Sequence, residues 1–431
     1  MKKCAEYCII NVIHFSERKS ADFWVIRLKL ILRYIVQYFK KMDKQLLIAV
    51  ILCSAFSVLI LYSIVQNGVA TGDRVSPRTY KMQLLMSCAG ALAALVLSAL
   101  DYHKFIKLWF LFGPGSLLLC LLLFTPLGVR AEGGADDIGW LNLGFAQFQP
   151  SELLKIAFIL TFSLHLSKVG DGINKFGNFI LLCIHGAVPV LLIALTGDDG
   201  TALVFAFMFA FMMFAAGLSW KYILPILLVI PPFIWAVWRF YLSASQKLRF
   251  YVLFFDGTDP DIEAKLAESK VDMTGITVQD LIAKGHQQRK GEIALGSGQI
   301  FGKGLFGGEY SDVPEVHNDM IFSYIGQTLG FVGCIGVIAL LAYVCMKILA
   351  DSRIAKDPLG KNICIGVFTL IFIHAVINIG MVLGVMPVIG VPLPFISAGG
   401  TAMASMYVCI GLVMSVYSHS DKKYRVFYDA D

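Results

Sequence analysis

The chain has 431 residues, of which 57% are hydrophobic and 15% charged, with a mean hydropathy of +0.72. Ordinary globular chains carry about 25% charged residues, so a soluble two- or three-domain protein is excluded and an all-α polytopic membrane protein is expected. The net charge of +6 is no sign of nucleic-acid binding, because Lys and Arg gather at the ends of apolar runs.

Residues 1–42 mix basic with aromatic and aliphatic side chains. Within them, FWVIRLKLILRYIV (23–36) is interrupted by Arg27, Lys29 and Arg33, which suits a cytoplasmic interfacial helix better than a span. No apolar region with a small-residue cleavage site marks a signal peptide. A spanning helix needs about 20 apolar residues. That rule predicts ten, at 45–66, 81–100, 106–127, 151–168, 177–195, 201–218, 221–241, 320–349, 362–384 and 401–418. With the N-terminus inside, Lys104, Lys107, Lys168, Lys175, Lys221, Arg353, Lys356 and Lys361 fall on the cytoplasmic side. The opposite short segments hold fewer cations, namely Arg74, Arg78, Lys81 and Arg130. Both termini are therefore expected in the cytoplasm, in a multi-pass membrane protein. The membrane domain is 43–418, a large extracellular loop at 242–319 separates helices seven and eight, and 419–431 is a cytoplasmic tail. The ten Cys form no CxxC pair, and eight of them lie in apolar runs as small hydrophobes.

Several polar residues sit where membrane solvation is costly. Lys155 lies within i,i+3 reach of Glu152, one turn into the helix that Pro150 opens. They read either as an interfacial ion pair or as a cation aimed at an anionic headgroup. Of Asp198 and Asp199, one suits a helix N-cap and the other a cation or a sugar hydroxyl. Arg249 is either an interfacial anchor or a bidentate phosphate ligand. In the long loop, 259–284 reads as one or two acidic amphipathic helices split at Thr274-Gly275. The Gly-rich run 296–304 lacks the P-loop pattern and reads as a turned loop carrying Lys303. His374 and Asn378 share a helix face and suit a helix-to-helix hydrogen bond. The Pro- and Gly-rich run 387–400 reads as broken backbone lining a cavity. Glu315, His317 and Asp319 stand at the mouth of the eighth helix. Two function classes fit this outward-facing polar cavity: an enzyme acting on an anionic lipid-linked substrate, or a transporter for one.

Four ordered motifs carry a family resemblance: WLNLGFAQFQPSELLK (140–155), GDDGTA (197–202), GHQQRKGEIALGSGQIFGKGLFGG through PEVHNDMIF (285–322) and NIGMVLGVMPVIGVPLPFISAGGT (378–401). Over about 43–418 the chain resembles the SEDS (shape, elongation, division and sporulation) proteins, the RodA/FtsW peptidoglycan polymerases, and Gly302-Lys303-Gly304 resembles the RodA branch. The resemblance implies a glycosyltransferase that polymerises lipid II into glycan strands on the outer membrane face and releases polyprenyl diphosphate. It implies Asp319 as the essential carboxylate, taking a proton or holding a divalent cation such as magnesium or manganese. Lys155, Arg249 and Lys303 would meet the diphosphate, with Asp198, Glu152, Trp140, His317 and Ser397 as further substrate-binding residues. A class B penicillin-binding protein, a transpeptidase, is the implied partner. A lipid II flippase and a weakly active scaffold for the transpeptidase are the alternatives. The chain departs from the family pattern at Gly139, Asn318, Met320, Gln327-Thr328 and Ala398, and Asp319 is retained.

Overall fold

The computed structural model describes residues 41–420 apart from 72, 131–137, 143, 145–146, 256–258 and 270–275. The chain divides into two units, Met1–Asp43 and Lys44–Asp431. The expected interfacial helix at 23–36 and the tail beyond residue 420 lie outside the described residues.

The second unit is a helical bundle. Its membrane-type helices are α1 (Lys44–Gln66) and α2 (Arg78–Ala99), then, after a short α3 (Tyr102–Ile106), α4 (Trp109–Leu121), α5 (Pro150–Val169) and α6 (Phe176–Leu195). They continue as α7 (Asp199–Ala215), α8 (Trp220–Phe240), α12 (Ile321–Arg353), α13 (Pro358–Val382) and α14 (Gly400–Ser418). Eight of these are long and apolar enough to cross a membrane. The other two, α4 and α7, are apolar but shorter. Pro114 lies inside α4, which gives way to a 3-10 turn at Leu122–Phe124. Gly217, at φ 93°, follows the end of α7 and stops it.

The buried centre is α13 and α14. The first packs against α5, α7 and α12, and the second lies along α2. Small residues set that last approach: a Cβ on Gly411 would come within 2.9 Å of Ala94 Cα. Helix α8 is the opposite case, with no buried residue and with Pro225, Pro231 and Pro232 inside it. It is held near its ends, where Tyr222 stacks on Phe179 and Trp238 meets Tyr251 edge-on.

The segment between α8 and α12 folds as α9 (Ala244–Tyr251), α10 (Ile262–Ser269) and α11 (Val278–Ser297) around its own small core of Leu248, Tyr251, Ile262, Leu266, Ile276 and Leu281. The second helix expected to end by residue 284 is in fact α11, which runs on to Ser297. Its start is fixed by a capping box, in which Thr277 Oγ1 accepts from the Asp280 amide and Asp280 Oδ2 accepts from the Thr277 amide. The Gly-rich run 296–304 therefore begins inside a helix.

The rest of that run crosses a break in α12. Gly330 sits at φ 66°, ψ −163°, outside helical space. Residues Gln299 and Ile300 supply carbonyls to the amides of Phe331 and Val332, at 2.8 and 3.1 Å. In return, Lys303 and Gly304 donate to the carbonyls of Gln327 and Thr328. The glycines permit this closeness, since a Cβ on Gly330 would stand 2.4 Å from Ile300 O and one on Gly302 2.2 Å from Thr328 O. Gly330→Ala is expected to cost about 1–3 kcal/mol from backbone strain alone, with the clash added. A thermal melt of the detergent-purified protein, showing a lowered midpoint, is the check.

Candidate functional site

A cavity of about 720 Å³ opens among the helix ends on the side that carries α9 to α11. It gathers residues from all four motifs: Trp140, Glu152 and Lys155; Asp198 and Asp199; His286, His317 and Asp319; and Gly390 and Gly399.

Helix α5 contributes the deepest charges. Pro150 occupies its first turn and Glu152 follows, where the helix dipole favours a carboxylate. Lys155 Nζ meets Glu152 Oε1 at 2.6 Å, with side-chain exposures of 2% and 5%. Ser405 of α14 donates to the other carboxylate oxygen at 2.5 Å. His374 of α13 lies 3.4 Å from the same ammonium. The i,i+3 pair expected from sequence is thus present, and it forms part of the cavity wall rather than a snorkelling surface pair.

Asp319 comes from a tight turn ahead of α12. Glu315 takes the left-handed conformation at φ 54°, and its carbonyl accepts from the amides of Asn318 and Met320. Left-handed backbone at a non-glycine residue stores strain and is concentrated at functional sites. The Asn318 amide group, a departure from the family pattern, donates to Glu315 Oε2 at 2.6 Å and closes the turn. Asp319 is 8% exposed, and its Oδ1 is a buried acceptor without a hydrogen-bond partner. Burial, reinforced by the Glu315 carboxylate, pushes its carboxyl up to about 7. The neighbouring His317 is held below the usual imidazole range by burial, which keeps it neutral.

The other expected site residues divide. Asp198 caps α7, accepting from the Thr201 amide at 2.9 Å. Asp199 accepts from Gln246 of α9 at 2.6 Å, which ties the segment after α8 to the cavity rim. Arg249 of α9 and Trp140 both line the cavity. Lys303 does not. It is exposed on the crossing at Gly330, where its Nζ donates to the Glu309 carbonyl at 3.2 Å. Ser397 lies behind the wall, donating to the Asn318 carbonyl at 2.6 Å and accepting from the Leu393 amide. It holds the Asp319 turn and has no place on the cavity surface.

Three further residues share that holding work. Asn378, expected to make only a helix-to-helix bond, donates to the carbonyls of Asp319 and Val391 at 2.7 and 2.8 Å. Gln83 of α2, one amide in an apolar run, donates to Ser57 Oγ and to the Ser397 carbonyl. The Ala398 amide donates to the His317 carbonyl at 2.9 Å. Asp319 is therefore braced from α2, α13 and the 387–400 run together. A lone Gln in an apolar helix was the available signal for Gln83.

Among the described residues, no three or more His, Cys, Asp or Glu are gathered as a protein-only metal cage. Of the carboxylates that line the cavity, Asp319 and Glu315 come from one turn. That suits a magnesium-type ion held by one or two carboxylates, with the remaining ligands from water and substrate phosphate.

The chain is similar to proteins of known name and fold. The Escherichia coli K12 peptidoglycan glycosyltransferase MrdB is 28% identical over 383 residues, covering 88% of this chain and 94% of its own. The probable peptidoglycan glycosyltransferase FtsW of Bacillus subtilis is 28% identical over 407 residues, covering 89% and 94%. Among solved structures, a chain of a peptidoglycan synthase complex that coordinates polymerization and crosslinking matches with TM-score 0.69 and 24% identity, over 88% of this chain and 99% of that one. The Thermus thermophilus rod shape determining protein RodA matches with TM-score 0.61 and 23% identity, over 88% and 98%. The fold is thus that of a polytopic helical membrane protein. The FtsW/RodA/SpoVE cell cycle protein model matches residues 43–422, and the chain belongs to that family.

Proposed function

We propose that the chain is a peptidoglycan glycosyltransferase that polymerises lipid II into glycan strands on the outer face of the bacterial cytoplasmic membrane. The observation that carries this is Asp319: a buried carboxylate oxygen without a partner, in a cavity that also holds Lys155 and Arg249. The names of the relatives support the same activity. In this reading α4 and α7 complete ten spans, both termini are cytoplasmic, and the 242–319 segment is extracellular. Residues 1–42 form a basic N-terminal extension and 43–418 the catalytic domain.

The acceptor sugar's 4-hydroxyl oxygen bonds to the donor's anomeric carbon as the bond from that carbon to the diphosphate oxygen breaks. Asp319 takes the hydroxyl proton, a role worth about 10²–10⁴-fold. Its raised pKa matches the task, since a base works best when poised near the ambient pH. Lys155 and Arg249 stabilise charge on the departing polyprenyl diphosphate. A divalent cation such as magnesium or manganese, if bound, would be held by Asp319 and Glu315 and would neutralise diphosphate charge. Glu152 serves through Lys155, and Asp198 through the α7 cap, while Trp140 and His317 form wall against the sugar or headgroup. A strand left uncrosslinked calls for a transpeptidase, and a class B penicillin-binding protein is the proposed partner.

The test is purified protein with lipid II, with and without the transpeptidase, the products separated by size. Glycan strands are expected. Translocation of lipid II in vesicles without product would replace the enzyme by a flippase, and neither activity would leave a scaffold.

A further inference from the structure

The cavity floor holds a cation whose direction is set by a residue that takes no part in the proposed chemistry. Lys155, Glu152 and His374 are 2%, 4% and 2% exposed, and all three reach the cavity wall. An ammonium has three N–H donors on a flexible stem, so a single carboxylate leaves its orientation loose. Here the carboxylate offers Lys155 one oxygen at 2.6 Å, because Ser405 Oγ occupies the other. His374 Nε2 stands 3.4 Å from the same ammonium.

The imidazole faces Lys155 as an acceptor. Its Nδ1 lies 2.8 Å from the Leu370 carbonyl, and a carbonyl can only accept. The ring proton is therefore on Nδ1, and the Nε2 lone pair is turned to the ammonium. His374 is also four residues before Asn378, on the same face of α13. One turn of that helix thus supports the cation and the next supports the Asp319 backbone.

We propose that His374 is a positioning residue for substrate binding. With Glu152 it occupies two of the three donors of Lys155, so that the third N–H points into the cavity, at the diphosphate of the lipid-linked donor. This rests on Lys155 being an anion ligand, as given under Proposed function.

The test uses the full chain in detergent, with farnesyl diphosphate as a short polyprenyl diphosphate probe and farnesol as its uncharged counterpart. His374→Leu is expected to weaken diphosphate binding about tenfold, the scale of one hydrogen bond to a charged group. Farnesol binding should not change. kcat/KM for lipid II should fall by at least a similar factor, with kcat falling as well as KM rising, because Lys155 also meets the charge that develops on the departing diphosphate. His374→Gln, whose amide oxygen can accept from the ammonium, should bind within about threefold of the parent. Equal diphosphate affinity in the parent and His374→Leu would overturn the inference, as would parallel loss of farnesol, which marks a general packing defect. The double variant Glu152→Ala/Lys155→Met, which removes the cation without stranding a buried charge, separates the two levels. If it leaves diphosphate binding intact, the anion-ligand reading itself is wrong. If it weakens binding and His374→Leu does not, only the positioning role fails.

Discussion

Replacing Asp319 with Asn is expected to reduce glycan polymerisation by at least about 10²–10⁴-fold, the range for loss of a general base. The substitution is close to isosteric. It keeps the main-chain carbonyl that Asn378 grips, so the loss should appear in lipid II turnover with little change in the thermal midpoint. The pH dependence makes the expectation sharper. A base acts when ionised, and burial with Glu315 nearby raises this carboxyl to about 7. Activity of the parent should therefore climb as pH rises from 6 to 8, with an apparent midpoint near 7. Removing the Glu315 charge by Glu315→Gln should move that limb to lower pH. Folding stability runs the other way. The folded value lies above the ordinary 3.8, so the stability this group contributes is complete below about 4 and is lost as pH passes through about 7. Wild-type turnover by Asp319→Asn, or a flat profile between pH 6 and 8, would remove Asp319 from the base role.

The second large effect is on stability. Glu152→Ala leaves the Lys155 ammonium, 2% exposed, without its carboxylate. Breaking a buried pair from one side costs about 3–5 kcal/mol, because the surviving charge stays desolvated. Ser405 also loses one of its two acceptors and keeps the Ala402 carbonyl. A sharply lowered melting midpoint and little recoverable folded protein are expected. The double variant Glu152→Ala/Lys155→Met should recover most of the midpoint, since an apolar replacement of both partners carries little penalty. It should not recover polymerisation. A double variant as unstable as the single one would show that packing around Ser405 and His374, rather than the stranded charge, governs the loss.

Much of this site is legible in sequence. Carboxylates and cations at helix mouths stand out against an apolar chain, and membrane solvation makes each of them costly. Asp319, Lys155, Glu152, Asp198 and Arg249 all meet in one cavity for that reason. What the sequence hides is which way a polar residue faces and what it reaches across the bundle. Ser397 and Lys303 sit in motif segments yet fall outside the cavity wall, one bonded to the Asn318 carbonyl and the other to the Glu309 carbonyl. Gln83 and Asn378 look like ordinary intrahelical polar residues, and their partners are 314 and 59 positions away. Nor does a hydropathy plot register the break at Gly330, because the whole of Ile321–Arg353 is apolar enough on average to read as one span. Helix α11 runs past the expected end at residue 284, since the capping box at Thr277 sets its start and neither Gly285 nor Gly291 turns left-handed to stop it.

The crossing at Gly330 also divides the long segment before α12 into two evolutionary regimes. The cost of closing a loop rises only about 0.6 kcal/mol for each doubling of its length, so an insertion ahead of the Thr277 cap is expected to leave the bundle intact. Residues 299–304 have no such latitude. Four main-chain hydrogen bonds tie Gln299, Ile300, Lys303 and Gly304 to α12 at fixed register, and one inserted residue would displace them all. Length variation among homologues should therefore collect ahead of Thr277 and stop at Gly296. The same joint sets a limit for domain grafting: a foreign module is expected to be tolerated before α11 and not between Gln299 and Gly304.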